Sequence, residues 1–190
     1  MNWRELSDKG IQVVGGAVSG GLDSCTVTHW LTGKGFSVHC FTVDLDQPDD
    51  RETLSRLIEG ADFLIEAEPP GRLDGIGLGR RDLEALNPAL VHGSITPFGS
   101  DGPKAGWAAT DLTLVAASAL AYLNGEPARP PVRCSIPQAY AHAASDAAVG
   151  ALIAHFERKH SGRGQHVDVS AQQSLTLATM FRSLDAPLAE

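Results

Sequence analysis

The sequence of 190 residues has few cysteines, no long apolar run and a deficit of positive charge. Its three cysteines are an odd number without metal-ligand spacing, which argues against a disulfide framework and a zinc site. No segment approaches the roughly 20 apolar residues of a membrane helix, and the opening MNWRELSDKG lacks the apolar core of a signal peptide. A formal net charge of −8 argues against a nucleic-acid partner bound through its phosphates. These absences predict a cytoplasmic globular protein without a membrane or nucleic-acid partner and without a zinc site.

What the chain does have is a regular alternation of short apolar runs and helical patterns. Strand-like runs occur at 11–18, 38–43, 63–65, 90–95 and 167–169. Helical patterns occur between them, at 52–58, 80–86, 112–123, 138–160 and 171–181. This alternation predicts an α/β fold with a mainly parallel sheet and flanking helices. Thr110 and Asp111 are expected to cap the helix at 112–123.

The stretch SGGLDS at 19–24 lies between a strand-like run and a helical one, the setting of phosphate-binding loops. Gly20 and Gly21 let the backbone turn sharply and approach an anion. The N–H groups at the start of the next helix would then point at a phosphate. Asp23 would meet a metal ion or orient the loop. We therefore expect a pyrophosphate site, the alternative being a simple tight connection from strand to helix.

The first 50 or so residues resemble the PP-loop ATP-pyrophosphatases, and argininosuccinate synthase in particular. The loop is followed by THWLTGKGFSVHCFTVDLDQPDD, which is similar to that family's helix end and to its strand leading into DLGQPDE. The resemblance implies a PP-loop-like strand–loop–helix–strand segment over 1–46 and ATP with Mg²⁺ as its ligand. It implies ATP contacts at Ser19, Gly20, Gly21, Asp23 and Ser24. Asp46 replaces a family glycine, and no citrulline- or aspartate-binding segment is found beyond residue 50.

From about residue 44 to about 185 the sequence resembles the family III CoA-transferases. The motifs are GADFLIEAEPPG, LGRRDLEALNPALVHGSITPFGSDGP, TDLTLVAASALAYLNGEPARPPVR and SGRGQHVDVS, in that order. The resemblance assigns 47–190 to this family and implies a Rossmann-like fold that is incomplete, because members are roughly twice as long. It implies a homodimer that transfers CoA between an acyl-CoA and a carboxylic acid, through an acyl-enzyme carboxylate.

The catalytic carboxylate implied by this resemblance is not matched. In the family it lies 22 residues before the first glycine of GRGQ, which corresponds here to Tyr140. A tyrosine cannot form the acyl anhydride. Asp146 and His142 are the nearest alternatives for acid–base or positioning roles. Simple packing or hydrogen bonding at a helix start is the structural alternative for Tyr140 and His142.

Weaker candidates for CoA contacts lie in the loops after two strand-like runs, where α/β folds place ligands. They are Gly71 and Arg72 in PPGR, and Phe98, Gly99 and Lys104 in the loop that begins PFGSDGPK. Arg72 and Lys104 could equally be solvated surface charges.

Three functions remain open from the sequence. The first is a divergent CoA-transferase, and the second is a fragment of an ATP-dependent ligase of the argininosuccinate synthase type. The third is a non-catalytic fusion or interaction protein, favoured by Tyr140 at the catalytic position. Binding of CoA esters or of ATP would discriminate the first two.

Overall fold

The computed structural model describes residues 13–17, 32–33, 37–41, 46–126 and 128–180. The predicted ATP contacts at 19–24 lie outside these residues. Contacts divide the chain into two units, Met1–Leu54 and Ser55–Glu190. In the first unit, β1 (Val13–Ala17) and β2 (Ser37–Phe41) pair in parallel, with Val13 opposite Ser37. The expected division at residues 46 and 47 stays a prediction.

The second unit contains a three-stranded parallel sheet of β3 (Phe63–Glu66), β4 (Val91–Thr96) and β5 (His166–Ser170), in the order β3-β4-β5. The helices of the described chain are α1 (Pro48–Glu59), α2 (Arg72–Gly75), α3 (Arg80–Leu86), α4 (Asp111–Ala117), α5 (Leu120–Leu123), α6 (Ala139–Ser161) and α7 (Ala171–Ala178). The α/β fold with a parallel sheet and flanking helices, predicted from the alternation of apolar runs, is confirmed.

One face of this sheet is apolar and is covered by α6. Val91 on β4 clusters with buried alanines of α6, and Val167 and Val169 on β5 contribute to the same layer. The buried positions of α6 are all alanines: Ala139, Ala143, Ala147, Ala151 and Ala154. Small side chains at this spacing let the helix lie close against the strands. A Cβ on Gly150 of the same helix would approach the Val167 side chain to 2.6 Å.

The other face of the sheet is polar. Because side chains alternate along a strand and paired residues share a face, three pairs fall on this side. They are His92 opposite His166, Ser94 opposite Asp168 and Thr96 opposite Ser170. His92, Ser94 and Thr96 are all buried, although a buried parallel strand is usually apolar on both faces.

The start of α6 is fixed by a carboxylate far away in the sequence. Thr110 caps α4 as predicted, accepting a hydrogen bond from the Thr113 N–H. Asp111 does something different: its Oδ1 accepts from the N–H groups of Gln138 at 2.9 Å and Ala139 at 2.8 Å. The carboxylate thus caps α6 and complements its positive end.

The prediction of a single helix at 112–123 is wrong, because the structure has two shorter helices there. The helix is interrupted between α4 and α5, where Ala119 adopts a left-handed conformation with φ of 65°. Ser118 precedes the break and donates its hydroxyl to the Val115 carbonyl at 3.1 Å. This bond offers the backbone an alternative to the helical ladder, which the apolar pattern alone did not reveal.

Candidate functional site

The carboxyl edge of the three-stranded sheet opens into a cleft of about 430 Å³. We call it the carboxyl-edge cleft. Its floor is the polar face of the sheet, and its walls are the loops that follow β3 and β4. Its lining includes Glu66, Gly71, Arg80, Ser94, His166 and Asp168. Open parallel sheets bind their ligands at this edge, because the loops after the strands converge there.

A serine and two histidines occupy the floor of the carboxyl-edge cleft. Ser94 Oγ lies 2.8 Å from His166 Nε2. The His92 ring packs against that of His166, with 4.7 Å between the ring centroids. On its other side, His92 Nε2 lies 3.6 Å from Glu66 Oε1, beyond hydrogen-bond distance. The floor therefore holds a hydrogen-bonded serine–histidine pair with a second imidazole against it.

Asp168 fixes the loop after β4 to β5. Its Oδ2 accepts hydrogen bonds from the Ser100 N–H at 3.0 Å and from the Ser100 hydroxyl at 2.6 Å. Gly99, with φ of 90°, turns the chain into this position and would bring a Cβ within 3.8 Å of the Asp168 carboxylate. Positive φ favours glycine here. The wall of the carboxyl-edge cleft is therefore held by a charge-assisted contact.

The pKa of His166 is lowered, first by burial and then by the neighbouring His92 and Arg80, against weaker opposing effects of Asp168 and Glu66. The neutral imidazole is thus the folded form, whereas the unfolded chain protonates near pH 6.5. Because the unfolded state binds this proton more readily, the free energy of unfolding should fall as the pH falls through about 6.5 towards the folded pKa. Urea unfolding across this range should show a weaker pH dependence for His166→Gln. If the free energy of unfolding depended on pH equally in the wild type and in His166→Gln, the lowered pKa of His166 would be wrong.

The predicted CoA contacts are only partly brought together. Gly71 lines the carboxyl-edge cleft and has φ of 83°, whereas Arg72 begins α2 without lining it. Phe98 packs against the hydrophobic core. Gly99 lies against Asp168, and the Lys104 ammonium lies 5.7 Å from the centroid of the Phe98 ring. Among the described lining residues of the carboxyl-edge cleft, Arg80 carries a permanent positive charge, whereas Arg72 and Lys104 do not line the cleft.

The candidate catalytic residues all lie on the first turns of α6. Tyr140 is 39% exposed, His142 is half-buried and Asp146 is exposed. α6 covers the apolar face of the sheet, and none of the three lines the carboxyl-edge cleft. The structure therefore separates them from the serine–histidine pair.

Sequence reasoning missed the residues on the floor of the carboxyl-edge cleft. The signal was present as alternation: VHGSIT places polar side chains at every second position of β4, and HVDVS does the same in β5. Two neighbouring parallel strands with this pattern predict a shared polar face. The reading of 90–95 and 167–169 as apolar runs obscured it.

Within the described residues, no helix is long and apolar enough to cross a membrane. The same part of the chain holds no group of three or more His, Cys, Asp or Glu side chains placed to bind a metal ion. The loop at 19–24, with its expected ATP and Mg²⁺, is not among these residues.

Fold and cleft define an α/β protein with an open cleft at the carboxyl edge of a parallel sheet. Residues 37–189 match the model of CoA-transferase family III, and the chain belongs to that family. The match confirms the resemblance read from the motifs and begins before residue 44. The likeness of the first 50 or so residues to PP-loop enzymes stays a prediction.

Individual relatives agree with this assignment. Subunit BbsE of succinyl-CoA:(R)-benzylsuccinate CoA-transferase from Thauera aromatica is 43% identical over 138 residues, 73% of this chain and 34% of that protein. A probable CoA-transferase of Mycobacterium tuberculosis is 33% identical over 183 residues, 92% of this chain and 23% of that protein. The crystal structure of a CAIB/BAIF family protein from Brucella suis matches with a TM-score of 0.75 and 30% identity, over 78% of this chain and 39% of that one. The chain spans about a third or less of the two curated relatives.

Proposed function

We propose that this chain takes part in the transfer of CoA between carboxylic acids and that the carboxyl-edge cleft holds the CoA thioester. The observation that carries the proposal is the cleft itself, whose volume of about 430 Å³ suits a small-molecule ligand. Gly71 lets the backbone of the PPGR loop approach the ligand closely. Arg80 supplies a guanidinium for a CoA phosphate. We place the protein in the cytoplasm, in keeping with the free thiol of Cys134.

The family's carboxylate is replaced by Tyr140, so we propose that a second chain supplies the carboxylate that takes up the acyl group. A homodimer, expected from the sequence, would contribute a second Tyr140 and no aspartate at that position. The relative from Thauera aromatica is itself named as a subunit. We therefore propose that this chain is the CoA-binding partner of a different CoA-transferase chain. Light scattering of the purified chain tests this proposal. A stable homodimer would contradict the need for a different partner chain.

Thermal unfolding with different nucleotides tests the site. CoA and succinyl-CoA should raise the melting temperature, because a ligand at about 100 times its Kd stabilises the folded state by about 2.7 kcal/mol. A rise with ATP and Mg²⁺ alone would instead favour the ligase alternative and the loop at 19–24. No rise with either would favour the non-catalytic alternative.

A pair of arginine variants makes this test specific to the carboxyl-edge cleft. Arg80→Ala should remove one phosphate contact and weaken CoA binding about tenfold, which corresponds to about 1.4 kcal/mol. Arg129→Ala is the matched control, because Arg129 pairs with Glu126 on the surface and both side chains are more than 70% exposed. Equal affinities of the two variants for CoA would contradict the placement of the ligand.

A further inference from the structure

Ser94 has the surroundings that a nucleophilic serine requires. It lies near the carboxyl end of β4, lines the carboxyl-edge cleft and is 5% exposed. Its hydroxyl contacts the side chain of His166 on the neighbouring strand at 2.8 Å. A nucleophilic hydroxyl needs such a base within hydrogen-bond reach.

His166 has the properties of a general base. The effects that lower its pKa keep the imidazole neutral near pH 7, so that Nε2 can accept the Ser94 proton when Nδ1 carries the ring hydrogen. The groups that face it are His92, Arg80, Asp168 and Glu66. The His92 ring packs against His166 at an interplanar angle of 31° and restrains its orientation. Base and hydroxyl are therefore held together by two neighbouring strands rather than by mobile loops.

Polar atoms without partners flank Ser94 on the same face of β4. Both ring nitrogens of His92 and the Thr96 hydroxyl are buried and have no hydrogen-bond partner in the part of the chain described here. These residues are 8% and 2% exposed. Leaving such groups unsatisfied costs about 1–3 kcal/mol each, which favours a bound polar group at this floor. A thioester carbonyl is a polar group of that kind.

We propose that Ser94 and His166 form a nucleophile–base pair that hydrolyses an acyl-CoA thioester in the carboxyl-edge cleft. This proposal rests on the proposed binding of CoA thioesters there. It gives the chain an activity that needs neither Tyr140 nor a carboxylate from another subunit.

The chemistry has two steps. Ser94 Oγ attacks the thioester carbonyl carbon while its proton passes to His166 Nε2. The C–S bond then breaks, and the thiolate takes that proton and leaves as CoA thiol. Water next attacks the ester carbonyl and gives a proton to His166 Nε2, which returns it to Ser94 Oγ as the C–Oγ bond breaks. The sum is thioester and water converted to carboxylic acid and thiol.

Hydrolysis, rather than transfer, follows from the type of intermediate. An acyl anhydride is reactive enough to give its acyl group back to a thiol. An ester of Ser94 is less activated than the thioester from which it forms, so water is the productive acceptor. A serine at this site would therefore discharge CoA thioesters that no acceptor acid takes up.

Release of free thiol from succinyl-CoA by the full chain tests the proposal, together with mass spectrometry of the acid-quenched protein. The wild type should release thiol and carry the acyl group on Ser94. Ser94→Ala should abolish the adduct and lower the rate by about a hundredfold or more, and His166→Gln should lower it similarly. The wild-type rate should rise with pH through the lowered pKa of His166. Ser145→Ala should behave as wild type, because the exposed Ser145 hydroxyl donates to the Ala141 carbonyl of its own helix and does not line the carboxyl-edge cleft.

The outcomes separate this proposal from the one on which it rests. If CoA raises the melting temperature but Ser94→Ala, shown by its melting temperature to be folded, releases thiol as fast as wild type, the pair is not catalytic while the proposed binding stands. Binding without thiol release or adduct leads to the same conclusion. If neither CoA nor succinyl-CoA binds, the proposed function fails first.

Discussion

Gly164→Ala should unfold the second unit or lower its free energy of unfolding by about 3 kcal/mol or more. A Cβ at this position would overlap the carbonyl group of Leu90 and come within 2.7 Å of the Ala89 carbonyl carbon. Both are backbone groups, so neither can rotate away. The Gly164 N–H also donates to the Pro88 carbonyl at 2.8 Å, which holds the turn against the segment before β4.

Two other glycine-to-alanine variants serve as controls for the loss of stability expected of Gly164→Ala. Gly162, with φ of 71°, has open space where a Cβ would lie, so Gly162→Ala should cost only about 1 kcal/mol of left-handed strain. Gly106 has neither positive φ nor a neighbour within 4 Å of that position, and Gly106→Ala should change stability by less than about 0.5 kcal/mol. Urea unfolding would rank the three. If Gly164→Ala unfolded at the same urea concentration as Gly106→Ala, the close approach of the two backbone segments would be wrong.

Gly162 and Gly164 also show what the sequence could predict. The end of α6 carries local signals, a basic last turn and a glycine cap at 162, because capping depends on residues within one turn of the helix end. The need for glycine at 164 has no such signal, because it depends on Leu90, which is distant in the sequence. The same limit applies to Asp111, read as a local cap although it binds the start of α6. Local signals predicted the elements, and the contacts between elements needed the structure.

The candidate site also combines features that local sequence predicts with features that depend on contacts between distant residues. The loops after two strands were predicted to contact CoA, and they form the walls of the carboxyl-edge cleft, since topology alone places them at this edge. The chemistry of the floor was missed, because Ser94 and His166 are 72 residues apart and meet only through the pairing of β4 with β5. Arg72 and Lys104 were the predicted contacts for CoA phosphates, whereas Arg80 is the arginine that lines the carboxyl-edge cleft. The direction of a long side chain cannot be predicted from its position in the sequence.

Arg158→Ala should destabilise the second unit by about 2–4 kcal/mol, although the arginine lies near a helix end where surface charges are common. Its side chain is only 11% exposed. Nη1 donates to the carbonyls of Asp62 at 3.0 Å and Ala89 at 2.9 Å, the residues that precede β3 and lie shortly before β4. The guanidinium also lies 5.6 Å from the centroid of the Phe63 ring. One side chain thus connects α6 to the amino edge of the sheet. Its loss removes the donor to the Ala89 carbonyl and one of the two donors to the Asp62 carbonyl, which also accepts from the Val91 N–H.

Arg163→Ala is the matched control, since Arg163 also pairs with a carboxylate but in solvent. Its Nη2 lies 3.0 Å from Glu84 Oε1, with the two side chains 72% and 57% exposed. Such a pair contributes between about 0 and about 1 kcal/mol. Arg158→Lys should recover only part of the loss, because a single ammonium cannot reproduce the planar donors that reach both carbonyls and Asp62. Equal urea midpoints for Arg158→Ala and Arg163→Ala would mean that the contacts of Arg158 with the two carbonyls contribute no stability. The packing of α6 on the sheet would then depend on the buried alanines of that helix alone.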